Sequence, residues 1–146
     1  MRVLIALLAL LTAPVWAQQA KYDGFWLRNG LAASQRYFST AQSTESDAVA
    51  ALQLSGYLTG FIQVHEMNNL TAVMMIGTLP KPLSAGDEKK ARMVFALTPL
   101  LGLSEQLTVE QAMAILRLYL EANPQKWQSS ANILLTSALK DAIPKR

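Results

Sequence analysis

The apolar positions of this chain fall into blocks with helical spacing, separated by polar or proline-containing breaks. The clearest blocks lie in the last third, Leu107 to Pro144, on either side of Asn123-Pro124. In the first, Val109, Ala112, Met113, Leu116, Tyr119 and Leu120 recur at three- and four-residue steps, which gathers side chains on one face of a helix. Thr108-x-x-Gln111 ahead of it has the spacing of a capping box, in which two side chains reciprocally satisfy backbone N–H groups. Asn123 suits a left-handed closing position, and Pro124 forbids continuation. The second block carries Ile133, Leu134, Leu135, Ala138, Leu139 and Ala142, with Ser129 or Ser130 as its cap and Pro144 as its stop.

The same reading extends upstream. Asp23 is placed to cap a helix to about Phe38, with Phe25, Trp26, Leu31, Ala33, Tyr37 and Phe38 as its apolar set and Gly24 and Gly30 weakening it. Thr44-x-x-Asp47 is a further capping-box spacing. The helix after it is expected to reach about Glu66 through Val49, Leu52, Leu54, Leu58, Phe61, Ile62 and His65. Gly56 and Gly60 stack one turn apart, and the two missing side chains are expected to admit a close helix neighbour in the core or, equally, in a homodimer. Leu70 to Ile76 either extends this helix or forms a strand-like segment. Leu79-Pro80-Lys81-Pro82-Leu83-Ser84-Ala85-Gly86 is the clearest loop. A helix over Asp87 to Thr98 turns Ala91, Val94, Phe95 and Leu97 inward and ends at Pro99 or Gly102. No alternating apolar pattern persists, so the expected fold is all-α, a compact bundle of about five helices with short connections.

The amino terminus has another character. A positive start at Arg2, an apolar run from Val3 to Ala13, Pro14 and then Val15-Trp16-Ala17 make an export signal over residues 1–17, with residues 18–146 as one mature domain. The apolar run is shorter than the about 20 residues that span a bilayer. No second membrane segment is expected, because His65, Glu66, Asn68 and Asn69 interrupt the only other long apolar stretch. The expected location is the periplasm. With no cysteine, stability has to come from packing rather than disulfides.

Composition narrows the function classes. A content of 51% hydrophobic and 16% charged residues excludes a disordered chain. The net charge of +3 falls to +2 without Arg2, and only Lys89, Lys90 and Arg92 cluster, behind Asp87-Glu88, so nucleic-acid binding is not expected. His65-Glu66 opens a zinc-protease helix pattern, but Asn69 stands where the second histidine belongs. One histidine and no cysteine argue against a zinc site, no serine sits in a nucleophile-elbow turn, and the glycines are too dispersed for a phosphate loop. Met67, Met74 and Met75 read as core filler rather than soft-metal ligands. The expectation is a protein without cofactor, metal or catalysis.

Several segments, in order, resemble the Rap/Tai immunity-protein family. These are Asp23-Gly24-x-x-Leu27, then Gly56-Tyr57-Leu58-x-Gly60-Phe61, then Leu107-Thr108-x-x-Gln111 with Tyr119-Leu120, Asn123-Pro124, Ala131, Ala138-Leu139 and Ala142-Ile143-Pro144. The chain departs from the family in lacking its cysteines, in ending Lys145-Arg146, and in a longer Leu79 to Leu103 segment. The resemblance implies a small periplasmic protein that plugs the cleft of a peptidoglycan amidase delivered by the type VI secretion system. For such a role the candidate contact residues are His65, Glu66, Pro80, Lys81, Pro82, Asp87 and Glu88, since a proline-stiffened loop loses little entropy on docking. The competing reading is a periplasmic small-molecule or lipid carrier with Trp26, Phe61, Met74 and Phe95 lining a cavity. An exposed rigid protrusion favours the first, and a closed apolar pocket of several hundred Å³ favours the second.

Overall fold

The computed structural model describes residues 22–39, 43–97 and 107–142. The leader expected over residues 1–17, the stops expected at Pro99 or Gly102, and Pro144 lie outside the described residues. Among the described residues there are five α-helices and no named strand: α1 (Gly24–Ser39), α2 (Glu45–Gly77), α3 (Ala85–Leu97), α4 (Val109–Ala122) and α5 (Ala131–Ala142). A 3-10 turn, Pro124–Lys126, joins α4 to α5. The fold is the all-α bundle that the spacing predicts.

Three of the caps form where the sequence placed them. Asp23 Oδ1 accepts from the Trp26 N–H at 2.8 Å. The Thr44 hydroxyl accepts from the Asp47 N–H at 3.1 Å, and Asp47 Oδ2 accepts from the Thr44 N–H at 3.2 Å, a complete capping box. Thr108 and Gln111 repeat it on α4 at 3.2 and 3.0 Å. Asn123 does not take the expected left-handed conformation: its φ is −130°. Its side-chain amide instead donates to the Tyr119 carbonyl at 2.8 Å, which closes α4 while Pro124 starts the 3-10 turn.

The core lies among α1, the first half of α2, α4 and α5. Leu27, Leu54, Leu58, Leu116, Leu120, Leu134, Leu135 and Leu139 are its largest fully buried side chains. Each is worth about 1.5–3 kcal/mol relative to exposure. Leu27, absent from the sequence-derived set, is completely buried, whereas Phe25, Tyr37 and Phe38 from that set are exposed. Val49, Leu52 and Ile133 are also exposed rather than inward.

Within the core, the glycine expectation inverts. Gly56 and Gly60 are exposed, and a Cβ on either meets nothing within 4 Å. The close approaches are made at Gly24 and Gly30 of α1. A Cβ on Gly24 would lie 2.6 Å from Trp127 Cα, and one on Gly30 would lie 3.0 Å from Leu54 Cβ. That approach lets the chain after α4 lie along the start of α1. The Gly24 N–H donates to the Trp127 carbonyl and the Ala131 N–H to the Tyr22 carbonyl, each at 2.8 Å. Trp127 also donates from Nε1 to the Leu120 carbonyl at 2.8 Å, and the Arg28 guanidinium sits 3.7 Å from its ring centre.

Arg36 near the end of α1 donates from Nε and Nη2 to Asp47 Oδ1 at 3.0 and 2.6 Å. This ion pair ties α1 to the first turn of α2, on the same carboxylate that completes the Thr44 cap. With the Arg36 hydrogen bonds as the largest cause and the Thr44 N–H next, the Asp47 carboxyl is held down to about 2.

Candidate functional site

α2 is 33 residues long, about 50 Å at 1.5 Å per residue, whereas α1 is 16 residues, about 24 Å. The core therefore has partners for only the first half of α2. Leu70 to Ile76 continues the helix rather than forming a strand. Beyond Ile62 its only buried side chain is Ala72, over which α3 folds back with its own Ala91. The second half of α2, the turn after Gly77 and α3 make a helical hairpin that extends from the bundle.

The turn carries Pro80, Lys81, Pro82 and Leu83 at the surface. Two side chains define its return into α3. Asp87 Oδ2 accepts from the Ser84 hydroxyl at 2.6 Å and from the Ser84 N–H at 3.3 Å, and the Ser84 hydroxyl accepts from the Asp87 N–H at 3.2 Å. The Ser84 hydroxyl, with its N–H and Lys90 at 3.7 Å, lowers the Asp87 carboxyl below its ordinary range. Glu88 is exposed and lies 4.0 Å from Arg92.

The seven candidate contact residues separate into two groups. Pro80, Lys81, Pro82, Asp87 and Glu88 share the hairpin tip. His65 and Glu66 sit back along α2, about 20 Å from the turn by helix rise. The His65 ring tilts against Phe61 at 4.3 Å between centres, and burial lowers its pKa. Glu66 is exposed beside it. One small docking footprint does not take in both groups.

The carrier reading put Trp26, Phe61, Met74 and Phe95 around one cavity. Trp26 packs instead edge-on to Tyr22 and Tyr57, with ring centres 4.7 and 5.3 Å apart. Phe61 meets His65, and Met74 is 61% exposed on α2. The Phe95 side chain lies outside the described residues. A different hollow exists: an open groove of about 580 Å³ between the second half of α2 and α3, with Met75, Ile76, Leu79, Met93 and Val94 among its apolar walls and Asn68, Thr71 and Lys90 among its polar ones. Sequence reasoning missed it. The signal was the apolar run Leu70 to Ile76: continued at helical spacing from Leu58 and Ile62, it sets Ala72 and Ile76 toward α3.

Among the described residues, no three His, Asp or Glu side chains are grouped to hold a metal ion. Among them, no helix is long and apolar enough to cross a membrane. The hairpin can offer apolar contact, a stiff turn and a few exposed charges to another molecule. No protein-family profile, curated protein or solved structure matches this chain.

Proposed function

We propose that this chain is a periplasmic immunity or inhibitor protein that docks a protein partner, a secreted peptidoglycan amidase, and occludes its cleft with the α2–α3 hairpin. The observation that carries this reading is the protrusion itself. A two-proline turn projects on a long helix, with its return fixed by the Ser84–Asp87 cap. Loop tips presented by a rigid scaffold commonly carry binding, and a pre-shaped turn loses little entropy on docking. The export signal and the ordered resemblance of the opening and closing segments to Rap/Tai proteins supply the partner class. Occlusion needs no catalytic residue, so the function rests on shape and contact alone.

The test is a pull-down of the processed protein with an amidase encoded beside it. A stoichiometric complex with loss of wall-cleaving activity is expected, and replacing Pro80-Lys81-Pro82 by Gly-Ser-Gly should weaken it at least about tenfold, the usual size of a hot-spot loss. A small molecule or lipid co-purifying in place of any protein would overturn it. That second reading has its own observation in the open groove of about 580 Å³, a volume ordinary for small-ligand sites. Met93→Arg with Val94→Asp would then abolish ligand retention.

A further inference from the structure

The groove between the second half of α2 and α3 has a construction that narrows what it can hold. Ala72 and Ala91 are the buried side chains where the two helices meet, and their small size lets the helices approach. At about 100° per residue, Asn68, Thr71 and Met75 turn to one side of Ala72, and Lys90 and Val94 turn to one side of Ala91. The groove is the hollow between these two rows, about 580 Å³ in volume. From Asn68 to Leu79 it follows α2 for about 16 Å at 1.5 Å per residue. Spread over that length, the volume makes a trough rather than a chamber, shaped for an extended chain.

The walls are mostly apolar. Ile76 and Leu79 line the trough on α2, and a methionine stands on each side, Met75 on α2 and Met93 on α3. An unbranched thioether chain adapts to irregular apolar shapes, which suits a wall that closes on a flexible ligand. The Thr71 and Thr78 hydroxyls are turned onto the carbonyls of Met67 and Met75, each at 2.8 Å, so they offer a ligand no donor. Among the described residues that line the groove, Lys90 alone is charged. Its ammonium stands 3.7 Å from Asp87 Oδ1, beyond hydrogen-bond length, and the Asp87 carboxylate is already held by the Ser84 hydroxyl and N–H. The three ammonium donors of Lys90 therefore stay available beside an apolar trough. A ligand matched to this arrangement has one apolar tail and one anionic head.

We infer that the groove binds a single-chain amphiphilic carboxylate, a free fatty acid, with its tail between Met75 and Met93 and its carboxylate on the Lys90 ammonium. The inference names the ligand class for the second reading of the groove and rests on that reading, not on amidase docking. The apolar walls supply affinity to any chain that fits, and the lysine selects among heads. A fatty alcohol of the same length fills the trough but leaves the Lys90 charge unanswered, and an alkylammonium is repelled by it. Lys90 is 73% exposed, so the head lies at the open edge and the tail below it.

The test is calorimetric titration of the protein as the cell processes it with octanoate, decanoate and dodecanoate, each below its micellar concentration, and with decanol. One-to-one binding is expected, tightening about fourfold for each methylene that leaves water. Decanoate should bind about fivefold tighter than decanol, the upper size of an exposed charge contact. Lys90→Glu should reverse the choice of head, favouring decylammonium over decanoate. Thr71→Trp, at an exposed site on the groove wall, should abolish binding of every chain while far-UV dichroism and melting hold. Equal binding of decanol and decanoate, both lost in Thr71→Trp, would overturn the fatty-acid inference and leave the groove as a site for neutral ligands. No binding of any chain would overturn the inference and the second reading together. Decanoate binding that survives Thr71→Trp would place the ligand elsewhere and overturn it, and so would binding to phosphatidylglycerol vesicles with none to decanoate, which would assign the face to a bilayer. Amidase docking is read by the pull-down and stands or falls on that measurement.

Discussion

Leu58 and Met74 stand about four and a half turns apart on one unbroken helix, and both are large, flexible and apolar. Leu58 is fully buried, while Met74 is 61% exposed. The contrast holds along the two halves of α2. Asp47, Ala51, Leu54, Leu58 and Ile62 turn inward in the first, and only Ala72 does in the second. Apolar side chains point all round the distal half, so the helix itself selects no inward face there. What differs is the neighbourhood: among the described residues the first half shares one core cluster with α1, α4 and α5, whereas the second half has α3 alongside it. Global stability therefore resides in the bundle, and the hairpin is left with apolar surface to spend on contacts.

The largest effect that tests this division is a pair of truncations. Leu58→Ala or Leu116→Ala should cost about 2–5 kcal/mol, because each empties a fully buried site. Met74→Ala, at an exposed site, should stay within about 0.5 kcal/mol. Urea denaturation of the three variants measures it. Equal losses at Leu58 and Met74 would mean that the second half of α2 is covered in solution, and the contrast between the halves would fail.

A smaller effect of opposite sign comes from the glycines. Gly24→Ala sets a methyl group 2.6 Å from the backbone of Trp127, and the shift it forces should cost about 1–3 kcal/mol. Gly56→Ala meets nothing and should stabilise by up to about 1 kcal/mol through helix propensity. Thermal melts separate the signs of the two effects.

The glycines also show where sequence reading stops. The helices and caps were legible because their signals are local: Thr44 with Asp47, Thr108 with Gln111 and Asp23 ahead of α1 each bond within one turn. The Pro80–Pro82 turn was legible for the same reason. A close approach is set by another element's backbone, and nothing near Gly24 announces Trp127. Period identifies a helix but does not select its inward face when apolar residues surround it, which is how Leu27 was missed and Val49 and Leu52 were placed inside. The separation of His65 and Glu66 from the turn depended on α2 continuing past Glu66, and the groove on α3 folding back over Ala72. Both are facts of tertiary packing.

The smallest effect compares one device in the two settings. Thr44–Asp47 and Ser84–Asp87 are capping boxes of the same form, but Asp47 also receives Arg36 and is nearly covered, whereas Asp87 has only the exposed Lys90 at 3.7 Å. Both carboxyls are lowered on folding, Asp47 to about 2. A carboxyl lowered in the folded state stabilises above its unfolded pKa near 3.9 and loses that contribution as pH falls through the folded value. Asp47 should therefore add to the loss of stability between about pH 4 and pH 2. Asp47→Asn should flatten that acid limb of the urea midpoint against pH. Asp87→Asn should leave the limb nearly as it was, because the hairpin it caps adds little to the cooperative core, and should instead speed amide exchange in the first turn of α3. If Asp87→Asn flattened the limb as much as Asp47→Asn, the hairpin would unfold as one unit with the bundle, and the contrast between the two halves of α2 would be lost.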